Sequence, residues 1–265
     1  MTTAQNAAEA FARFKTAYDT NCLVQSVWHK KIDGRELACA LGILGPDVHD
    51  PEDCPAAIMP RWLANMVPWF FDGQKPDAAK NWGLKFYAEL KRLNGVIPFS
   101  VVHDWHARVV GPLAIEIAQK QGRQLATHEA LMQMHAKAAT GQKFTEEEWR
   151  SIINAAYVDV YNYATDAHTD AYAYASAHVS AHAYANAHAH AAYVDAAHAA
   201  YTNAAHATNA AHAHAAYVQA AHAAHAADAD ATNADAATMK IGEARSKIIS
   251  RFADGMVDCL ARVNP

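Results

Sequence analysis

The chain has 265 residues and a formal net charge of −5, and alanine supplies much of its 52% share of hydrophobic residues. Its longest apolar stretches are interrupted, as at Pro60, Arg61 and Pro68, which excludes the roughly 20 unbroken apolar residues of a membrane-spanning helix. The first ten residues lack the features of a secretory signal, and the four cysteines are widely spaced, so we expect a cytoplasmic protein with reduced thiols.

Residues 1–144 are predicted to form one compact helical domain. Its first helix runs from Ala7 to Tyr18, where the apolar residues share one face. Asp33 is predicted to cap a second helix through Glu36 to Leu44, which the following glycine and proline would end.

The next two predicted helices carry most of the large aromatic residues. One runs from Met59 to about Gly73 on a path altered by proline, and the other is capped by Asp77 and ends at Asn94-Gly95. Aromatic side chains this dense are typical of a core or an oligomer contact, with a ligand pocket as the alternative. The cluster comprises Trp62, Trp69, Phe70 and Phe71.

Three further helix signals lead up to the repeats. Val101 to Gln119 is an apolar-periodic run that could break at Gly111-Pro112, and Thr127 opens another helix. Thr145 and Glu148 have the spacing of a capping box, in which each side chain satisfies a free amide at the helix start.

Residues 145–239 form an internal repeat. Residues 151–239 contain 38 alanines and no Lys, Arg, Gly or Pro, and histidines recur every eight residues beside alanine. Such self-similarity is the signature of a repeat architecture. The histidines of this column are His182, His190, His198, His206, His214 and His222.

The repeat composition favours a helix, because alanine is the best helix former. The predicted fold is therefore all-α, with a long alanine-rich helical arm following the compact domain. A period of eight displaces successive histidines by about 80° around a helix, so they form no stripe. Alternating alanines from Ala171 to Ala191 support a β-solenoid as the alternative, and disorder is the third. A 24-base DNA repeat that expanded and then mutated would produce the same amino-acid pattern, whether or not the octads pack in the folded protein.

The repeats also carry an uneven share of the charge. Residues 151–239 contain seven aspartates and no lysine or arginine, a formal charge of −7, which leaves +2 for the rest of the chain. Because phosphate contacts need basic side chains, we expect no nucleic-acid binding through this segment, and no membrane partner.

The last segment, residues 240–265, is predicted to form an amphipathic helix within Met239 to Val263. Its apolar residues recur at helical spacing and would pack on the first domain or on a second copy. They are Ile241, Ile248, Phe252, Met256 and Leu260.

Eleven histidines between His168 and His225 raise the question of metal binding. On a helix, the pairs His178/His182 and His222/His225 have the spacing of two ligands, and imidazole binds zinc, nickel or copper. Two histidines make an incomplete site, so the prediction is weak zinc or nickel binding rather than a dedicated cofactor. Histidines exposed to solvent are the alternative.

The segment SVVHDWHARVV carries the most enzyme-like motif. His103 followed by Asp104 resembles the metal-binding step of HD-type phosphohydrolases, which are all-helical, and His49-Asp50 could contribute. Partly buried histidines hydrogen-bonded near Trp105 are the alternative. His103 and Asp104 are candidate metal ligands, and no catalytic or cofactor-binding residue is predicted.

The chain as a whole resembles uncharacterised bacterial or bacteriophage proteins that pair a small domain with an alanine- and tyrosine-rich tail. The resemblance is carried by WLANMVPWFFDG, YAELKRLNG and the repeats. It implies no activity.

These observations favour a non-enzymatic structural or interaction protein. Alanine buries little area per residue, so an isolated arm would lack a stabilising core and would pack against a partner or another copy. We therefore expect a homo-oligomer. An HD-like metal-dependent phosphohydrolase, or a weak histidine-based metal binder, is the alternative function.

Overall fold

The computed structural model describes residues 2–120, 125–145, 147–152, 155 and 234–265. The chain divides into two compact units: unit 1 comprises Met1–Val101 with Ser246–Pro265, and unit 2 comprises Val102–Arg245. The three consecutive segments proposed from the sequence are a different division, and their boundaries stay a prediction. The octad repeats, and with them the choice between helix and solenoid, lie outside the described residues.

Unit 1 begins with helix α1, Ala7–Asp19, as the sequence predicts. Asn6 caps it by accepting a hydrogen bond from the Glu9 amide at 2.9 Å, and Glu9 in turn accepts one from the Gln5 amide. The buried residues recur at helical spacing, so one face of α1 packs into the core. They are Ala7, Ala10, Phe14 and Ala17.

The helix predicted from Glu36 to Leu44 is wrong. Strands β1, His29–Ile32, and β2, Arg35–Ala38, pair antiparallel, with Ile32 opposite Arg35. Asp33 and Gly34 join them with φ of 51° and 77°, the positive values that a tight two-residue hairpin turn needs. Only the last residues of the predicted helix are helical, as a 3₁₀ turn at Gly42–Leu44.

Short helices and one long helix follow. Helix α2 is Arg61–Ala64, α3 is Val67–Asp72 and α4 is Pro76–Arg92, preceded by a 3₁₀ turn at Pro51–Asp53. Proline stands in the first turn of both α3 and α4, where no backbone donor is needed. Helix α4 therefore begins one residue before Asp77, and it ends close to the predicted Asn94-Gly95.

The aromatic cluster belongs mainly to the core of unit 1. Trp62, Phe70 and Phe71 are buried, and Trp69 is half-buried against Phe252 with ring centroids 5.8 Å apart. The interpretation of these aromatics as core residues is confirmed for the three buried members.

The C-terminal helix α8, Ala234–Ala261, completes this core. Its Ile248, Phe252, Met256 and Leu260 are buried, as their spacing predicts. The Trp82 indole N–H donates to the Ala253 carbonyl at 2.9 Å. The end of the chain is held by α4, because the Arg92 guanidinium donates to the carbonyls of Leu260 and Val263.

Unit 2 begins within helix α5, Ser100–Trp105, and continues through a π-helical turn at His106–Val110 into helix α6, Gly111–Lys120. Pro112 explains the wide turn: it has no N–H for the carbonyl four residues earlier, and its ring would clash with that carbonyl. The Gly111 amide instead donates to the His106 carbonyl, five residues back.

Helix α7, Ala126–Ala139, packs against this kinked helix. Gly111 permits the approach, because a Cβ there would lie 2.7 Å from the Met132 Cγ. A further helical stretch covers residues 147–152. Among the helices that the structure describes, none combines the length and the apolar character needed to cross a bilayer.

Candidate functional site

The most unusual feature of the described residues is a set of buried histidines in unit 2. Four side chains are at most 1% exposed: His103 on α5, His106 at the start of the π turn, and His128 and His135 on α7. Histidine is seldom fully buried without a specific environment, because its ring nitrogens require hydrogen-bond partners. This set is therefore the candidate functional site.

Three of these imidazoles are in direct contact, and we call them the histidine stack: His103, His106 and His135. The Nδ1 atoms of His103 and His135 lie 2.9 Å apart, a hydrogen-bond distance. The His106 ring lies against the His135 ring with centroids 4.2 Å apart and an angle of 14° between the planes. Since one Nδ1 must donate and the other accept, the pair of His103 and His135 requires at least one neutral ring.

Local sequence explains how each ring reaches the stack. His103 and His106 are three residues apart, so they lie on one face of the kinked helix. On α7 the buried residues follow the spacing of a single helical face, which is the face that His135 shares. They are His128, Leu131, His135 and Ala138.

Trp149 covers the stack from the helical stretch 147–152. Its indole is 1% exposed and lies parallel to His103, with centroids 5.4 Å apart and planes 15° apart. It also contacts His135 at 4.9 Å and Phe144 at 5.7 Å.

The predicted capping box at the start of this helical stretch is confirmed. The Glu148 amide donates to the Thr145 hydroxyl at 3.2 Å, and the Thr145 amide donates to the Glu148 carboxylate at 2.6 Å. These bonds fix the helix start four residues before Trp149. The same bonds to Thr145 lower the pKa of the Glu148 carboxyl.

Burial determines the charge of the stack. It lowers the pKa of His103 to about 4, because a low-dielectric interior disfavours the imidazolium. His103 is therefore neutral at pH 7 and serves as a hydrogen-bonding group rather than a cation.

The side chains of His103 and Asp104 contact different residues. The Asp104 carboxylate accepts a hydrogen bond from the Arg108 Nε at 2.5 Å, at the partly exposed surface of the same helix. His103 instead contacts His135 and Trp149. His103 and His106 are buried, and the Trp105 and His106 rings lie 5.0 Å apart, as the alternative interpretation expects. Metal binding by His103 and Asp104 stays a prediction.

The geometry of the stack also bears on metal binding. An imidazole nitrogen binds a metal in the plane of its ring, and the nearly parallel planes of His106 and His135 share no such point. Within the described part of the chain, no group of three or more His, Cys, Asp or Glu residues could hold a metal ion. His178, His182, His222 and His225 lie outside the described residues, so their metal binding stays a prediction.

The second motif considered from the sequence, His49-Asp50, lies in unit 1. The His49 ring meets the His29 ring edge-on at 5.0 Å, and the His29 Nε2 lies 3.1 Å from the Val48 carbonyl oxygen. Asp50 caps the 3₁₀ turn by accepting from the Glu52 amide. These contacts define a local turn.

Unit 2 also has a shallow open depression of about 530 Å³ between α6 and α7. Pro112, Ile115 and Met132 line it together with the carboxylates Glu116 and Glu129. Its lining residues do not include a member of the histidine stack, so it is a separate surface feature.

Reasoning from sequence alone missed His128, His135 and Trp149 as parts of the site. The helical spacing of His128, Leu131, His135 and Ala138 was an available signal, because it marks both histidines as residues of a buried face. The partnership of His135 with His103, 32 residues earlier, had no local signal.

Comparison with known proteins gives no match: neither a protein-family model, nor a curated protein, nor a solved structure matches this chain. The argument for function therefore depends on the residues and contacts described above.

Proposed function

We propose that this protein is a non-enzymatic structural or interaction protein whose alanine-rich repeats mediate self-association. The observation that supports the proposal is that folded parts of the chain hold both flanks of the repeat segment. Described helical stretches thus precede and follow the segment in the chain.

The upstream flank is anchored by Trp149. This side chain is 1% exposed and lies on His103 and His135, while the Thr145–Glu148 capping box fixes the start of its helical stretch. Burial of a tryptophan contributes more than any alanine can, because apolar stabilisation scales with the area removed from water.

The downstream flank is anchored by α8. The buried Phe252 and Met256 and the bond from Trp82 to the Ala253 carbonyl attach this helix to unit 1. The last residues are also held by Arg92.

Composition supports the assignment of self-association to the segment between these anchors. Each alanine buries little surface, so stabilisation must come from many repeated contacts rather than from a single core. With a formal charge of −7 and no basic residue other than histidine, residues 151–239 also lack the lysines and arginines that would select a polyanion partner.

The test compares three forms of the chain by sedimentation at micromolar concentration. We expect the full chain to sediment above its 28.7 kDa monomer mass. Replacing residues 156–233 with a flexible Gly/Ser linker should give a monomer that retains the helical circular dichroism of the remaining residues.

A variant with residues 156–233 shuffled at constant composition is the matched control. Loss of association in this variant would show that the octad order matters, and retained association would show that composition suffices. A full chain that sediments only as a monomer would contradict the proposal, as would a linker variant that associates as strongly as the full chain.

A further inference from the structure

We propose that the histidine stack of His103, His106 and His135 is an acid-sensitive anchor that holds Trp149, and with it the chain leading into the repeats, at neutral pH and releases it on mild acidification. The inference deepens the proposed function and rests on it for one consequence only, the change in self-association.

The histidine stack and Trp149 form one contact surface. The indole lies on the His103 ring at 5.4 Å and contacts His135 at 4.9 Å, and His135 in turn stacks on His106 at 4.2 Å. A change in the charge or position of these imidazoles therefore acts directly on the surface that covers Trp149.

Protonation changes the hydrogen bond between His103 and His135. In the neutral stack, one of the two Nδ1 atoms of His103 and His135 carries a hydrogen and the other accepts it across 2.9 Å. One added proton leaves this bond in place, because it binds at the bare Nε2 of the ring whose Nδ1 donates. A second proton places hydrogens on both Nδ1 atoms, which breaks the bond and sets two cations against each other.

Two features of the surroundings of His103 have opposite effects on a positive charge at its ring. The face of Trp149 attracts a cation, which favours a protonated His103. Burial opposes it more strongly, since His103 is 1% exposed and its pKa is lowered to about 4. Desolvation is therefore the larger effect.

Among the residues that the structure describes, the charged groups of the elements packed around the stack are at least partly exposed. The buried polar or charged side chains among the described residues of unit 2 are all histidines. Asp104 bonds Arg108 on the partly exposed side of the kinked helix, Glu116 on α6 is partly exposed, and the other described charged groups of the packed elements are exposed. The latter are Glu129 and Lys137 on α7, Lys143 before the helical stretch, and Glu147, Glu148 and Arg150 within it.

The direction with pH follows. A histidine that is neutral in the closed anchor and solvated in the open form has a lower pKa when closed, so protons bind the open form preferentially. The anchor is fully stable above the ordinary histidine pKa of about 6.5 and is weakened as pH falls below it. At pH 5.5 the open form gains roughly a factor of ten from His103.

Hydrogen exchange followed by mass spectrometry of the full chain tests the anchor locally. After correction for the intrinsic rate, we expect protection of residues 147–152 to fall at least about tenfold between pH 7.5 and 5.5. Residues 249–260 of α8, which pack in unit 1, should keep their protection. Unchanged protection at 147–152 would overturn the proposal.

Variants separate the stack from the eleven histidines of the repeats, which titrate in the same range. H103Q/H135Q retains two hydrogen-bonding side chains without a titratable ring, and it should lose most or all of the tenfold fall in protection on acidification. If this double variant does not fold, the single variant H103Q should remove most of the tenfold pH effect. H49Q, at an exposed histidine of unit 1, is the control and should behave as the wild type.

An equal pH effect in the stack variants and the wild type would overturn the assignment to the stack. Sedimentation of the same samples distinguishes the two proposals. Local release at pH 5.5 in a chain that is monomeric at both pH values would support the anchor and contradict self-association. Self-association without local release would do the opposite.

Discussion

The two units differ in what they bury. Unit 1 has a core of aromatic and aliphatic side chains, and its buried polar residue among those described is Gln74. The described part of unit 2 buries four histidines, three of them in contact. The two exposed histidines of the described residues, His29 and His49, both lie in unit 1.

This difference determines which core has a stability that depends on pH. An apolar core gains free energy from area removed from water, and that gain does not depend on pH. A core containing neutral imidazoles keeps its stability only while those rings stay neutral. The chain therefore places its pH-insensitive packing around α8 and its pH-sensitive packing around Trp149.

The largest expected effect breaks the apolar core of unit 1. Phe252 is fully buried against Trp69, so Phe252→Ala should lower the free energy of unfolding by about 3–5 kcal/mol through lost burial and an unfilled cavity. Denaturant unfolding followed by circular dichroism measures the loss. Asp258→Ala, on the exposed face of the same helix, should change stability by no more than about 0.5 kcal/mol. A comparable loss in both variants would contradict the packing of α8 described here.

The next effect sharpens the contrast through pH. The pKa of His103 is about 4 in the folded chain and near 6.5 when solvated, so its contribution is complete above about pH 6.5 and is lost as pH falls toward 4. At pH 5 this histidine alone should cost about 2 kcal/mol of unit 2 stability. Urea unfolding at pH 7.5 and pH 5, compared between wild type and His103→Gln, measures it. A wild type equally stable at both pH values would show that protonation of His103 does not lower the free energy of unfolding.

Much of the fold follows from local sequence signals, and the exceptions have physical reasons. Helix α1 and the burial of Phe252 and Leu260 follow from helical periodicity, because one face of each helix packs into a core. The hairpin was missed because Asp33 was interpreted as a helix cap, although Asp33-Gly34 is a strong signal for a tight hairpin turn.

The candidate site shows a different limit. His103 was identified beside Asp104 because they are adjacent in sequence, yet the pairing observed is with His135, which only the packing of two helices brings near. A contact that depends on the packing of helices leaves no spacing in the sequence. The capping box at Thr145 was predictable for the opposite reason, since all its bonds lie within four residues.

The smallest effect tests whether the helix start, as well as the histidine stack, holds Trp149. Thr145→Ala removes the hydroxyl that accepts from the Glu148 amide, and loss of such a cap costs about 1 kcal/mol. Thr145→Ser keeps the hydroxyl and is the matched control. Hydrogen exchange at pH 7.5 should show faster opening of residues 147–152 in the alanine variant by roughly fivefold, because about 1 kcal/mol corresponds to that factor at 25 °C. The serine variant should exchange like the wild type.

Since the box lies at the surface while Trp149 lies against imidazoles, the effect of Thr145→Ala should be the same at pH 5.5 and add to that of acidification. A Thr145→Ala effect that disappears at pH 5.5 would instead show that the cap and the stack act as one cooperative unit.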